Sequence, residues 1–483
     1  MSRLLRLVVQ AALISATVAN ASSQIAHRGT SPFTCPALDT STTCPLPQPK
    51  LPHPPNQTPP QHASQQENEQ PPPSPPPSSS ASEPKPSESP SPWSRGPICR
   101  RAGHSEYCAF THSSFSSGTG ISLITTPSRI LLLGSQPPLN LTIHSTPESQ
   151  PPANPQAPPY KDVPIPGKGI GLVATEPIRA GRLVMAATPA VMVDDKAFRG
   201  LRKEDLAMLL GQAIVSLPAE HSGRFLNLSA DARAADEGQG QLDLVWKIFS
   251  TNAFRTPVVG IGAGVEGGEK IEGWEKEMDF QSTFVEVSRL NHACSPNLGY
   301  YFDSATLSHR VYAVKDILPG EELTISYVDV LQPSTTRNSL LSKTWSFTCT
   351  CPRCMLEPHL LEESNSRSQS ILSLRRELDD YSTSASPQKA ELLITLYELE
   401  GLQVRIYEAY YRAALEWNGV GDSGRAVRYA RMCLDKGLLL RGPNRPFVDN
   451  MKELVADPTG HWSWRFRLKN AEKEESAGSN GSS

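Results

Sequence analysis

Apolar and polar residues alternate in short runs through the middle of the chain and change to a helical period toward its end. Between Lys161 and Asp194 the pattern is strand-like with sharp turns. The turn Gly167-Lys168-Gly169-Ile170-Gly171 precedes Leu172, Val173 and Ala174, and Arg179-Ala180-Gly181 leads into Leu183, Val184 and Met185. Two short strands joined by a turn are expected there. Glu204–Leu217 and Asp243–Phe254 carry apolar residues at helical spacing. Glycine and charge crowd the stretch from Gly260 to Lys276, which reads as a flexible insertion. Strands are expected again at Phe284–Leu290, Arg310–Val314 and Glu322–Tyr327. Beyond Cys354 the chain reads as helical. Two amphipathic segments, 392–417 and 424–440, flank a glycine-rich turn beginning at Asn418 and suggest a helical hairpin.

The first half is built differently. The chain has 483 residues and 45 prolines, about twice the usual ~5% share. From Cys44 to Pro97 proline, serine and glutamine dominate, a composition that buries too little apolar surface to offset the entropy of ordering. The segment from Cys99 to His144 is richer in branched and aliphatic residues and reads as short strands, with Cys99 and Cys108 spaced to close a hairpin by a disulfide. A second proline-rich bridge runs to Tyr160. At the very start, Arg3 and Arg6, a short apolar run and Ala19-Asn20-Ala21 have the layout of a secretory leader, although the lack of acidic residues before Asp39 also suits a mitochondrial presequence. No run reaches the ~18 apolar residues of a membrane span. The net charge of −3 argues against a globally basic nucleic-acid-binding protein.

Nine cysteines fall into groups: 35, 44, 99 and 108; 294, 349, 351 and 354; and 433 alone. Cys349, Cys351 and Cys354 form C-x-C-x2-C, three soft ligands in six residues. A tetrahedral zinc needs a fourth ligand, for which Cys294 is the candidate and His292 the alternative. A Cys351–Cys354 disulfide or a redox pair is the competing reading, weakened by the third cysteine and by the lack of a βαβ pattern. Cys433 sits on the apolar face of a helix, where an inert core thiol is expected. Taken alone, the glycine turn is a weak signal and Tyr327 is an ordinary strand residue.

The order of the motifs is more informative. The glycine turn is followed by Asn291-His292-Ala293-Cys294-Ser295-Pro296-Asn297. Then come Pro319-Gly320-Glu321-Glu322-Leu323-Thr324-Ile325-Ser326-Tyr327 and Phe347-Thr348-Cys349-Thr350-Cys351-Pro352-Arg353-Cys354. This series, from Gly167 to Cys354, resembles the SET-domain protein-lysine methyltransferases, in particular the SET-and-MYND branch and related fungal SET proteins. No cysteine lies between Asp195 and Lys276, so the MYND zinc finger is missing.

The resemblance implies a mainly β SET core with an inserted helical subdomain, a post-SET zinc turn and a C-terminal α-helical, tetratricopeptide-like module. It also implies a threaded chain at Asn291–Asn297, one of the rare departures from unknotted topology. The expected boundaries are a leader at 1–21, a linker at 22–97, a small β-rich segment with its bridge at 98–160, the SET domain at 161–330 with a helical insert at about 195–280, the post-SET segment at 331–355 and the helical region at 356–483. S-adenosylmethionine is the implied cofactor, bound by Lys168, Gly169, Ile170 and Gly171, by Asn252, Asn291 and His292, and by Tyr327 and Phe347. Tyr327 is the implied catalytic residue and Trp345 a wall of the lysine channel. One structural zinc is implied at Cys294, Cys349, Cys351 and Cys354. The implied partner is a lysine-bearing protein substrate, histone or not, with no nucleic acid. The alternative is an inactive SET scaffold that binds partners through its helical module. The catalytic half thus reads as intracellular and the N-terminal half as exported.

Overall fold

The computed structural model describes residues 92–134, 158–230, 240–259, 277–380 and 385–468. The leader-like start, Cys35 and Cys44, most of the proline-rich linker and of the second proline-rich bridge, and the glycine-rich insertion lie outside these residues.

Three small sheets build the core. The first has the order β1-β2-β3-β7-β9-β8, from β1 (Ser94–Ala102), β2 (Ser105–His112), β3 (Ile121–Thr125), β7 (Val191–Asp194), β8 (Ala253–Val259) and β9 (Glu277–Thr283). The second, β10-β13-β5-β4, uses β4 (Tyr160–Ile165), β5 (Gly169–Ala174), β10 (Asn291–His292) and β13 (Glu322–Ile325). The third, β11-β12-β6, uses β6 (Leu183–Ala187), β11 (Leu298–Asp303) and β12 (Ser308–Ala313).

The β-rich segment after the linker is not separate from the sheets that follow it. β3 pairs in parallel with β7, through Ser122–Val191, Leu123–Met192 and Ile124–Val193. β1 begins at Ser94, inside the stretch read as linker, because Trp93 is buried with Phe110 and Phe115 in one apolar cluster. Cys99 and Cys108 are direct cross-strand partners and are joined by a disulfide. A short helix, α1 (Pro127–Gly134), follows β3.

The insert contains α2 (Asp195–Gly200), α3 (Lys203–Val215), α4 (Ala219–Leu226) and α5 (Gln241–Asn252). It is not helical throughout. It ends in the antiparallel pair β8–β9, which extends the first sheet beside β7. The strand expected at Phe284–Leu290 is instead a loop with a 3-10 turn at Val287–Arg289. Phe284, Val285, Val287 and Leu290 are all fully buried, so this apolar run records burial between elements and not one face of a strand.

The C-terminal region contains α6 (Ser334–Trp345), α7 (Pro358–Asp379), α8 (Pro387–Leu399), α9 (Ile406–Gly419), α10 (Ser423–Arg441) and α11 (Pro446–Ala456). The single periodic segment read at 392–417 is two helices. Gly401 adopts φ +64° and reverses the chain against Ser295, where an added Cβ would lie 3.3 Å from the serine side chain. Cys433 is fully buried in the helical core, as expected.

A buried ionic network fastens this module to the β core. Arg353 Nε donates to Glu400 Oε2 at 2.7 Å, Arg367 Nε to Oε1 at 2.6 Å and Ser364 Oγ to Oε2 at 2.5 Å. Arg353 also donates to the carbonyl of Val330 and to Ser368 Oγ, and Ser295 Oγ donates to the Glu400 carbonyl. Burial alone would raise the Glu400 pKa, but the donors around the carboxylate outweigh it and hold the pKa below its ordinary value. Glu400→Gln leaves the buried Arg353 guanidinium short of an anion and removes one of the two carboxylate partners of the partly exposed Arg367, and should lower stability by about 3–5 kcal/mol. In the native protein this contribution is complete above the unfolded glutamate pKa of ~4.3 and is lost as pH falls through the lower folded value. Urea unfolding of both proteins at pH 7 and of the native protein down to pH 3 measures this; equal midpoints at pH 7 would remove the network from the account of stability.

Candidate active site and metal centre

β13 is the axis of the site. Its parallel partner β10 aligns Asn291 with Thr324 and His292 with Ile325. Asn297 secures the same loop from its far end: its Oδ1 accepts from Thr324 N–H at 2.8 Å and its Nδ2 donates to the Glu322 carbonyl at 2.8 Å. Both ends of the Asn291–Asn297 segment are therefore held on one strand, and Tyr327 lies two residues past its end.

A polar corner forms where β5, β10 and β13 meet. Glu322 accepts from Asn291 Nδ2 at 2.9 Å and from Lys168 Nζ at 2.6 Å. Lys168 thus reaches this corner with its side chain, while Ile170 is partly exposed on the same glycine turn. Gly167 and Gly169 have φ of +75° and +77°. At Gly171 a Cβ would lie 2.6 Å from Asn291 Nδ2, so only glycine admits the asparagine. With its amide N–H groups turned toward Glu322, Asn291 keeps its carbonyl oxygen as an acceptor.

Beside this corner lies an aromatic cluster. The Tyr327 ring is 5.2 Å from Trp345, 5.4 Å from His292 and 6.4 Å from Phe347, centroid to centroid. His292 and Phe347 are 6.1 Å apart. Tyr327 Oη donates to the Leu290 carbonyl at 2.7 Å, and burial raises its pKa far above the ordinary phenol value. His292 Nδ1 accepts from Tyr327 N–H at 3.0 Å, which leaves the proton on Nε2, 3.3 Å from Cys294 Sγ. Burial lowers the His292 pKa to about 4, so the ring is neutral.

Asn252 approaches from the insert. Its Nδ2 donates to the carbonyls of Ser229 and Ile248, both at 2.8 Å. The adjacent Thr251 carbonyl accepts from Trp345 Nε1 at 3.1 Å, which links the end of α5 to the aromatic cluster.

Cys294, Cys349, Cys351 and Cys354 converge with all four Sγ atoms within 4.8 Å of one another. None is in a disulfide, so the Cys351–Cys354 bridge considered from sequence is not formed. Three are buried and the fourth is partly exposed. Four soft sulfur ligands in a closed pocket fit a structural tetrahedral zinc. His292 lies outside the ligand set and faces it as a donor.

The roles of Glu322 and Asn297 are not legible in the sequence: both lie in the ordered motifs, but only the paired strands reveal what they hold.

Residues 169–328 match the SET domain family. The chain resembles the SET-and-MYND and fungal SET methyltransferases. It is 29% identical over 198 residues to histone-lysine N-methyltransferase set5 of Schizosaccharomyces pombe, covering 41% of this chain and 51% of that protein. It is 39% identical over 90 residues to the N-lysine methyltransferase SMYD2 of Gallus gallus, covering 19% and 20%. With the protein-lysine N-trimethyltransferase SMYD5 of Homo sapiens it shares 40% identity over 77 residues, covering 15% and 18%. The chain thus spans about half of the first relative and about a fifth of the other two.

Proposed function

We propose that this chain is an S-adenosylmethionine-dependent protein-lysine N-methyltransferase. The observation that carries this reading is the joining, on one strand, of the polar corner at Glu322 and the aromatic cluster at Tyr327. S-adenosylmethionine supplies an electrophilic methyl group on a cationic sulfur. The free Asn291 carbonyl oxygen and the backbone of Lys168–Gly171 suit its amino-acid end, and Phe347, with His292 beside it, offers a face for its adenine. Asn252 contributes from the insert by fixing the end of α5.

The acceptor lysine must be neutral to react, and free lysine has a pKa of ~10.4. Trp345 and Tyr327 form an apolar wall that disfavours the ammonium and excludes water. The Tyr327 hydroxyl proton points to the Leu290 carbonyl, so its lone pairs are open to accept from an amine N–H. As a neutral phenol Tyr327 orients the amine and does not act as a base. Cys294, Cys349, Cys351 and Cys354 would hold a zinc ion, which would tie down the segment that carries Phe347.

The paired α9 and α10 suit a tetratricopeptide-like hairpin, and the helical module serves in this reading as a platform for the protein substrate. Among the described residues no helix is long and apolar enough to cross a membrane. Transfer of radiolabelled methyl from S-adenosylmethionine to lysines of a broad protein panel tests the proposal. No label on any substrate, together with no calorimetric binding of the cofactor, would overturn it.

A further inference from the structure

Arg337 is among the most deeply buried large side chains of the protein, 1% exposed, and no carboxylate pairs with it among the described residues. Its donors go elsewhere. Nε donates to Cys294 Sγ at 3.1 Å, Nη2 approaches Cys354 Sγ at 3.9 Å, and Nη1 donates to the Gln332 carbonyl. A buried guanidinium without an anion is strongly unfavourable. The cysteine cluster can supply the negative charge, since four thiolates around a divalent cation carry a net charge of −2.

The same helix makes further contacts with the cluster. Asn338 Oδ1 accepts from Cys349 N–H at 3.0 Å, and Leu341 packs, fully buried, against Cys294, Cys349 and Cys351. Residues 337, 338 and 341 thus face the metal centre, and α6 then ends at Trp345, which packs on Tyr327.

We infer that Arg337 is a positioning residue that neutralises part of the charge of the four-thiolate metal centre through N–H···S bonds and so fixes α6, and with it Trp345, against the site. The inference rests on the zinc reading above. Hydrogen bonds to metal-bound thiolates disperse their charge, making them weaker nucleophiles and slower to protonate and leave the metal. Arg353 does not replace this function: its polar contact with Cys294 is to the carbonyl, at 3.4 Å, and its charge is paired with Glu400.

The test uses the full-length protein with zinc bound, its Arg337→Met and Arg337→Lys variants, and a chromogenic chelator. Arg337→Met is expected to release zinc about tenfold faster or more, the range in which outer-shell partners act. Arg337→Lys, which keeps the charge but lacks the planar fork, is expected to fall between the two. In cobalt-substituted protein the thiolate-to-metal charge-transfer band is expected to move to lower energy in both variants, a signature that a merely structural arginine would not produce. If native protein holds one zinc while folded variants release it at the native rate with an unmoved cobalt band, the inference is overturned and the metal reading stands. If native protein neither carries zinc nor takes up cobalt, the metal reading itself fails and the inference falls with it. Should Arg337→Met not fold, Arg337→Lys decides by the same two readouts.

Discussion

Tyr327→Phe should lower kcat for methyl transfer by about 100- to 1000-fold, the range for losing one preorganised polar group at a reacting centre. S-adenosylmethionine affinity should stay within about threefold, because the ring and its contacts with His292, Trp345 and Phe347 remain and only an amine-orienting group is lost. The variant also loses the hydrogen bond to the Leu290 carbonyl, an effect of about 1 kcal/mol on stability. Circular dichroism at the assay temperature separates the fall in kcat from any loss of folded protein. The pH profile separates roles further. Burial raises the Tyr327 pKa, so the phenol stays protonated throughout the working range. The native rate should rise with pH as the acceptor lysine loses its proton, and tyrosine ionisation should not cut it off below pH ~10. Steady-state methylation of a labelled substrate from pH 7 to 10, with calorimetry for the cofactor, checks both parts. Activity of Tyr327→Phe within a factor of five of native would remove Tyr327 from the mechanism.

Cys351→Ser should bring the zinc content from about one per chain to near zero and abolish measurable cofactor binding with it. The link is structural. Between the end of α6 at Trp345 and the start of α7 at Pro358 the chain has neither helix nor strand. The cysteine ligands hold this stretch, and Phe347 stands two residues before the first of them. Metal binding in small structural zinc sites is worth about 10–16 kcal/mol, so losing a buried ligand releases the segment while the sheets keep their own cores. Elemental analysis, circular dichroism and cofactor calorimetry of the variant measure the three consequences. A variant that keeps its zinc and binds the cofactor normally would show that Cys351 is not a ligand.

The sequence was most readable where chemistry is local. C-x-C-x2-C brings three sulfurs together whatever surrounds them, and the Asn291–Asn297 motif announces itself by composition. The helices α3, α5 and α10 follow from their apolar spacing, because each buries one stripe against a neighbour. Apolar spacing is ambiguous where a run is buried from several sides, as at Phe284–Leu290, and it does not reveal the break at Gly401, a single glycine with positive φ that splits one periodic segment into two helices.

The sequence alone therefore determined the ordered motifs, the three-cysteine run Cys349, Cys351 and Cys354, and the helical character of the C-terminal third. These depend on spacing along the chain and on the ligand chemistry of the side chains themselves. Only the tertiary structure decided that β1–β3 join the sheet of β7, that Glu322 bridges Lys168 and Asn291, and that Arg353 and Glu400 fasten the helices to the core. Only it chose Cys294 over His292 as the fourth member of the sulfur cluster and set the Arg337 guanidinium against the Cys294 sulfur. Each of these is a pairing across a large sequence separation. A buried charge or strand edge reveals that it needs a partner, but which residue answers is fixed only when the folded chain brings the two within hydrogen-bonding distance.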